Sequence, residues 1–190
     1  MTLEKKINGI NVDQLVSTIE LIKEKPEMAQ FKFCATNRWI DGTHNRATIK
    51  SFCGACQEDD TRDPIIFEID EPPVLCGNNL GANPVEYLLA ALSGCLTTSL
   101  IAHSAVLGIK IKDVKSRFEG DLDLRGFLGI SEEVPVGYKN IRVFFSIDAD
   151  ISEEKKEELL QMAQKYSPVF NSITKPISVS VELDSKWITM

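Results

Sequence analysis

The sequence has few of the features that mark nucleic-acid-binding, secreted or membrane proteins. Its 190 residues contain no block of lysine and arginine, and the net charge is −7. An acidic surface disfavours binding to DNA, RNA and anionic lipid, because all three carry negative charge. Residues 1–10 include several charges and are followed by no apolar core, so we expect no signal peptide. We therefore predict a cytoplasmic protein with no nucleic-acid partner and no membrane partner.

Cysteine is also scarce, with five residues in the chain. An odd count in a chain of this length is not typical of a secreted disulfide scaffold. Cys53 and Cys56 have the C-x-x-C spacing, but one such pair supplies only two of the four ligands of a structural zinc site. Cys34 and Cys76 stand at no spacing that is typical of zinc. We therefore predict reduced thiols, no metal and no cofactor.

The residues that are present have an ordinary globular composition, 43% hydrophobic and 26% charged. Hydrophobic periodicity predicts an N-terminal helix followed by the order β-β-β-α-β-β-α-β. Strands are predicted at residues 31–39, 45–53, 65–69, 109–123, 138–148 and 177–183, and helices at 12–25, 84–107, 152–165 and 168–173. Hairpin-like strand pairs indicate an antiparallel α+β fold. We predict a single domain, with 1–27 as a helical extension and 28–190 as the core.

The helix predicted in the middle of the chain carries the strongest signals. Asn83 is a good N-cap residue, Pro84 suits the first helical position and Gly108 suits the C-terminal cap. Nearly every residue between them is apolar or small, so we expect a helix that is buried on all sides. Cys95 lies near its centre and follows Gly94, which costs about 1 kcal/mol in a helix relative to alanine. Close approach of another helix, or access to the thiol, would compensate for that cost.

Two segments carry a resemblance to a known family. Residues 81–95, with the sequence GANPVEYLLAALSGC, resemble the central-helix motif of the OsmC/Ohr family of osmotically induced and organic hydroperoxide resistance proteins. Residues 166–169, with the sequence YSPV, resemble the second motif of that family, where Cys-Pro-Val normally stands. The resemblance implies an intertwined homodimer with antiparallel sheets around a buried central helix. It also implies thiol peroxidase chemistry, in which a thiolate attacks a peroxide and becomes a sulfenic acid.

The resemblance identifies Cys95 with the peroxidatic cysteine of the family. From its position alone, Cys95 is explained better by an inert core role than by a reactive one, because most buried cysteines are structural. The position of the second family cysteine is Ser167, whose hydroxyl cannot form a disulfide. Ser167 precedes Pro168 and suits the N-cap of a short helix. A catalytic cycle in this chain would therefore need an external thiol donor.

Four further side chains are candidates for the site. Arg38 and Arg46 lie in the first predicted hairpin, where the Ohr branch of the family has its catalytic arginine, and the resemblance leaves the choice between them open. Arg62 is a third candidate arginine, in a region where the OsmC branch would place one. Glu86 precedes Cys95 by nine residues and faces the opposite side of the helix. A carboxylate there is explained by the helix dipole or by an arginine partner.

Three functions follow from these observations and stay open at this stage. The first is a stress-response enzyme, a one-cysteine thiol peroxidase that reduces organic hydroperoxides with Cys95. The second is a non-catalytic homodimer that binds a small hydrophobic ligand at the subunit interface. The third is a structural or regulatory stress protein with no small-molecule role. Ser167 favours the second function over the first, whereas Cys95 keeps the first one open.

Overall fold

A computed structural model describes residues 6–184 of the chain. The first five residues of the predicted extension and the last six of the predicted core lie outside the described residues. The strands are β1 (Lys6–Ile7), β2 (Ile10–Asn11), β3 (Phe31–Phe33), β4 (Thr36–Asp41), β5 (His44–Ile49), β6 (Phe52–Gly54), β7 (Gln57–Asp59), β8 (Ile65–Ile69), β9 (Ile111–Asp121) and β10 (Asn140–Ala149). The α-helices are α1 (Val12–Glu24), α2 (Pro84–Val106), α3 (Leu124–Phe127), α4 (Glu153–Tyr166) and α5 (Pro168–Thr174).

All pairs of named strands are antiparallel, which confirms the predicted α+β class. The first predicted hairpin is divided between two sheets of three strands, with the orders β3-β6-β7 and β4-β5-β8. Its tip is a tight turn at Gly42, which has a positive φ of 53°. Strand β7 lies in a polar segment for which no strand was predicted. Strands β9 and β10 form a separate long ribbon.

The main core lies between α2, β10 and α4. It contains the buried side chains of Leu100, Ile147, Ala149 and Ala163. Helix α4 has a polar outer face and buries Leu159 and Ala163 against this core. Apolar side chains on one face of each element therefore meet in one layer, as the amphipathic pattern of α4 predicted.

Helix α2 is confirmed as a core helix, and the single chain buries only part of its surface. Most of its buried residues lie along one side, at Leu92, Leu96, Ser99, Leu100 and Ser104, whereas Ala105 is buried on another side near the end of the helix. Leu88 and Val106 are both more than one-third exposed. Composition alone does not say how many sides of an apolar helix its own chain can cover. Among residues 6–184, α2 is the one helix long and apolar enough to cross a membrane, but it packs against α4, α5 and β9 as a core helix.

The prediction of a last strand at residues 177–183 is wrong for the single chain. The described residues of this segment form no strand, and Ile177, Val179, Val181 and Leu183 are all more than half exposed. Alternating apolar residues indicate two faces of an extended segment. They do not supply a neighbouring edge, and a β-strand needs one for its hydrogen bonds.

The N-terminal extension packs against the end of α2. Ile7 and Val12 are buried in a small cluster with Ala105. The Asn8 amide donates to the Ile109 carbonyl at 3.0 Å and accepts from the Ile111 N–H at 2.9 Å. The side chain of one residue therefore pairs with the backbone that leads from α2 into β9. The helix predicted at residues 12–25 is confirmed as α1.

Candidate functional site

The centre of the candidate site is the thiol of Cys95, which faces the junction between α4 and α5. The Ser167 hydroxyl donates a hydrogen bond to Cys95 Sγ at 3.1 Å. The backbone N–H of Val169 donates a second one at 3.5 Å. Cys95 is partly exposed, whereas Ser167 is fully buried. Two hydrogen-bond donors therefore converge on the Cys95 sulfur.

Ser167 lies at the centre of the junction, because it is both the C-cap of α4 and the N-cap of α5. Its hydroxyl oxygen accepts from the Phe170 N–H at 3.1 Å while its proton points to the sulfur. Pro168 occupies the first position of α5, where no N–H is needed. The N-cap predicted at Ser167 is therefore confirmed. The same hydroxyl also contacts Cys95, across 72 positions of sequence.

The side chain of Asn171 links the start of α5 to the end of α4 by hydrogen bonds. Its side-chain amide donates to the carbonyls of Gln164, Lys165 and Ser167, at 3.1, 3.2 and 2.8 Å. The Gln164 and Lys165 carbonyls belong to the end of α4, where helical carbonyls have no intrahelical partner. The Ser167 carbonyl also accepts from the backbone N–H of Asn171 at 3.1 Å. One side chain thus fixes the angle at which α5 leaves α4, and with it the position of Ser167.

The Glu86 side chain forms hydrogen bonds within the first turn of α2. Its carboxylate accepts from the Asn83 N–H at 2.9 Å, and the Asn83 side chain accepts from the Glu86 N–H at the same distance. This capping box satisfies two backbone donors of the helix start. The Glu86 charge also helps to raise the pKa of Tyr138, although burial is the larger cause. Glu86 makes no contact with Cys95 among the described residues.

The segment before α2 is organised by the buried carboxylate of Asp70, which is 1% exposed. It accepts from the Thr43 hydroxyl at 2.6 Å and from the N–H groups of Glu71, Asn78 and Leu80. The Thr43 hydrogen bond is the main reason that the pKa of Asp70 lies well below its usual range. Asp70 therefore anchors the loop that leads into α2.

The candidate arginines lie on the N-terminal sheets. Arg46 pairs with the Glu68 carboxylate at 2.5 Å, and His44 contacts the same carboxylate at 2.8 Å. These two partners, Arg46 first, lower the pKa of Glu68. Arg38 lies directly opposite Arg46 in the β4–β5 pairing and is exposed. Arg62 lies over the Phe52 ring, 5.6 Å from its centroid.

No arginine of the described residues is within hydrogen-bonding distance of Cys95 Sγ. Glu68 also lies close to the start of α2, because the Tyr87 hydroxyl donates to its carbonyl at 2.8 Å. The sheet that carries the two hairpin arginines therefore meets α2 near its first turns. The single chain brings Cys95 and Ser167 together, and it brings neither arginine to them.

An apolar groove lies between α2, β10 and α5, and its lining includes neighbours of Cys95 on α2. Its volume is about 470 Å³, and its lining includes Leu88, Leu92, Ile141, Phe170 and Ile173. A second cavity, of about 280 Å³, shares Ile141 and Phe170 with it. Leu88 and Leu92 lie on the same side of α2 as Cys95, at seven and three residues before it. Phe170 belongs to the helix whose start touches the sulfur.

The other four cysteines are exposed. Cys53 is in β6, and Cys56 lies in the tight turn to β7 with a positive φ of 62°. Within residues 6–184, no three histidine, cysteine or acidic side chains are grouped to hold a metal ion. The roles of the Val169 N–H and the Asn171 side chain were not predicted, because a backbone donor and a carbonyl cap leave no pattern in residue type.

Comparison with known proteins places this arrangement in a family. The profile of the family described as OsmC-like protein matches residues 77–182, which is more than half of the chain. No curated protein matches the sequence significantly.

Solved structures have the same fold. An OsmC-like protein from Mycoplasma pneumoniae is similar with a TM-score of 0.58 and 16% identity, over 75% of this chain and 87% of that one. An organic hydroperoxide resistance protein OsmC from Legionella pneumophila has a TM-score of 0.55 and 18% identity, over 76% and 90%. An organic hydroperoxide resistance protein from Elizabethkingia anophelis has a TM-score of 0.54 and 18% identity, over 76% of this chain and 89% of that one. Because the family profile matches more than half of its residues, the chain belongs to the OsmC-like protein family.

Proposed function

We propose that this protein is a one-cysteine thiol peroxidase that reduces organic hydroperoxides with Cys95. The observation that carries the proposal is the pair of donors on Cys95 Sγ, the Ser167 hydroxyl and the Val169 N–H. A thiolate is the nucleophilic form of cysteine, and hydrogen-bond donors favour it. Cys95 is also partly exposed.

The reaction needs one oxidant and two reducing equivalents. The thiolate attacks one oxygen of the hydroperoxide, the O–O bond breaks, and the alkoxide leaves and takes up a proton from solvent. The product is a sulfenic acid on Cys95. An external thiol then displaces water from that sulfur to give a mixed disulfide, and a second thiol releases Cys95. The external donor is required because Ser167 replaces the resolving cysteine.

The apolar groove supports an organic rather than an inorganic peroxide as the substrate. Leu88, Leu92, Phe170 and Ile173 offer carbon surface in the groove, and burial of the organic part of a substrate there is favourable. The printed names of the similar proteins from Legionella pneumophila and Elizabethkingia anophelis also refer to organic hydroperoxide resistance.

We further propose that the active form is a homodimer. Phe33 is 73% exposed and Trp39 is 67% exposed, and one side of α2 is uncovered. Large apolar surfaces of this kind mark interfaces in soluble proteins. A second copy would cover them and would bring the hairpin with Arg38 and Arg46 to the Cys95 of its partner. Free, exposed cysteines support a cytoplasmic location.

The alternative is a non-catalytic homodimer that binds a small hydrophobic molecule. The groove of about 470 Å³ has the size of a small-molecule site. The lack of an arginine beside Cys95 in the described chain also favours this alternative. The two functions share the groove, so they differ only in whether Cys95 is consumed and regenerated.

A turnover assay separates them. The protein is mixed with cumene hydroperoxide and, in turn, dithiothreitol, glutathione and a dihydrolipoyl donor, and peroxide consumption is followed. We expect turnover with at least one donor, its loss in Cys95→Ala, and its retention in the matched control Cys76→Ala, which removes an exposed thiol that makes no hydrogen bond to Cys95 or Ser167. Equal peroxide consumption by the wild type and Cys95→Ala would contradict the peroxidase proposal.

A further inference from the structure

The side of α2 that carries Cys95 also carries a buried hydroxyl with no partner. Ser99 is 8% exposed, and within residues 6–184 its Oγ is the one buried side-chain polar atom with no hydrogen bond. Ser104, on the same helix, shows the usual arrangement, because its hydroxyl donates to the Leu100 carbonyl at 2.7 Å. A buried hydroxyl that forgoes even that bond is costly, so its retention calls for a ligand.

Ser99 lies on the same face of α2 as the reacting sulfur. Ser99 follows Cys95 by four residues, which places it about 6 Å along the axis and on the same face of the helix. Side chains of a helix lean toward its N-terminus, which here is the direction of Cys95.

The same part of α2 is covered by the α4–α5 junction at both ends. Cys95 contacts Ser167 at one end. His103, four residues beyond Ser99, stacks on Tyr166 with ring centroids 4.7 Å apart. Ser99 therefore lies between two contacts with neighbouring residues of the junction.

We propose that the Ser99 hydroxyl binds the oxygen atom that a hydroperoxide transfers to Cys95. The inference rests on the proposed peroxidase function and adds a catalytic residue to it. As the sulfur–oxygen bond forms and the O–O bond breaks, the transferred oxygen becomes part of a sulfenic acid on Cys95. Ser167 and Val169 already contact the sulfur, so the new oxygen needs its own donor. Ser99 supplies one and loses its unpaired state at the same moment.

Rate measurements on Ser99→Ala test this role. We expect the second-order rate constant for Cys95 oxidation by cumene hydroperoxide to fall about tenfold, the effect of losing one hydrogen bond in a transition state. Alkylation of Cys95 by iodoacetamide transfers no oxygen, so its rate should stay at the wild-type value. The melting temperature should not fall, because the variant removes a buried polar atom that has no partner.

Two further variants complete the design. Ser99→Thr keeps the hydroxyl and should restore most of the oxidation rate. Ser104→Ala is the matched control, because it removes a buried serine that already has a partner, and its oxidation rate should match the wild type.

The outcomes also separate this inference from the proposed function. If Ser99→Ala is oxidised as fast as the wild type, or loses oxidation and alkylation equally, the assignment of Ser99 is wrong while the peroxidase proposal stands. If peroxide leaves wild-type Cys95 unmodified, the peroxidase proposal itself fails.

Discussion

At the residue scale, the contact between Ser167 and Cys95 is the feature with the most direct consequence. The two atoms are 3.1 Å apart, and a disulfide requires sulfur atoms about 2.05 Å apart. Residue 167 occupies the position of the second family cysteine. A sulfur atom at this position would need to move only slightly closer to Cys95 Sγ to form a disulfide. The replacement of sulfur by oxygen changes the redox cycle and leaves the helix cap in place.

Restoring the cysteine should therefore create an oxidisable pair. We predict that Ser167→Cys, treated with one equivalent of cumene hydroperoxide, forms a disulfide between Cys95 and the introduced thiol. Mass mapping of peptides without reduction detects the bond directly. Ser17→Cys serves as the control, because Ser17 is on an exposed turn of α1, donates only to the Asp13 carbonyl and is not expected to pair with Cys95. Two free thiols at positions 95 and 167 after oxidation would contradict the geometry.

Residue-scale prediction from sequence succeeded where a residue type carries a chemical signal. The N-cap roles of Asn83 and Ser167 followed from local pattern, because capping depends on neighbours three residues away. The contact of Ser167 with Cys95 depends on packing between distant segments, and only the family resemblance linked them. The free hydroxyl of Ser99 leaves no trace in the sequence, since serine in a helix usually bonds to its own backbone.

At the element scale, Asn171 decides how α5 is set against α4. We predict that Asn171→Ala lowers the free energy of unfolding by about 1–3 kcal/mol, because it leaves carbonyls at the end of α4 without their donor. The alkylation rate of Cys95 should fall as well, since Ser167 loses its fixed position. Asn37→Ala removes an exposed amide that donates to Asn45 and should change neither quantity appreciably. Denaturant unfolding with a parallel alkylation assay gives both numbers.

The stability of the protein should depend on pH through Asp70, which anchors the loop before α2. Its folded pKa is depressed, mainly by the Thr43 hydroxyl. Its contribution is therefore fully present above the unfolded pKa of about 3.9, and it is lost as the pH falls toward the folded pKa. Asp70→Asn keeps the shape but not the charge, so it should be less stable than the wild type at pH 7. The difference in melting temperature between the wild type and Asp70→Asn should become smaller below about pH 4. A difference that stays constant with pH would contradict a stabilising role of the Asp70 charge.

Elements were predicted well where one stretch of sequence determines them. Helices α1, α4 and α5 have caps and amphipathic faces that are local properties. The division of the first hairpin between two sheets was missed, because it depends on which strands lie alongside. Residues 177–183 alternate as a strand does, yet pair with nothing in the described chain. Pairing partners are a property of the assembled molecule.

At the scale of the whole molecule, the uncovered side of α2 and the exposed residues of the N-terminal sheets predict self-association. We expect a homodimer at micromolar concentration with more than about 2,000 Å² of total buried surface, the range of obligate dimers. Sedimentation equilibrium tests the mass. Phe33→Asp places a charge on the exposed apolar surface and should shift the equilibrium toward the monomer, whereas Lys32→Asp, on the opposite face of the same strand, should shift it less. A stable folded monomer in the wild type would contradict the prediction.

The central claim is that Cys95 reacts with an organic hydroperoxide and has no resolving cysteine. Its most direct test is mass spectrometry of the intact protein and its peptides after one equivalent of cumene hydroperoxide, with a trapping reagent for sulfenic acid. We predict trapped sulfenic acid on Cys95, further oxidation to sulfinic acid when no thiol is added, and return to the free thiol when one is. An unmodified Cys95, or a disulfide between Cys95 and another cysteine of the protein, would contradict the account.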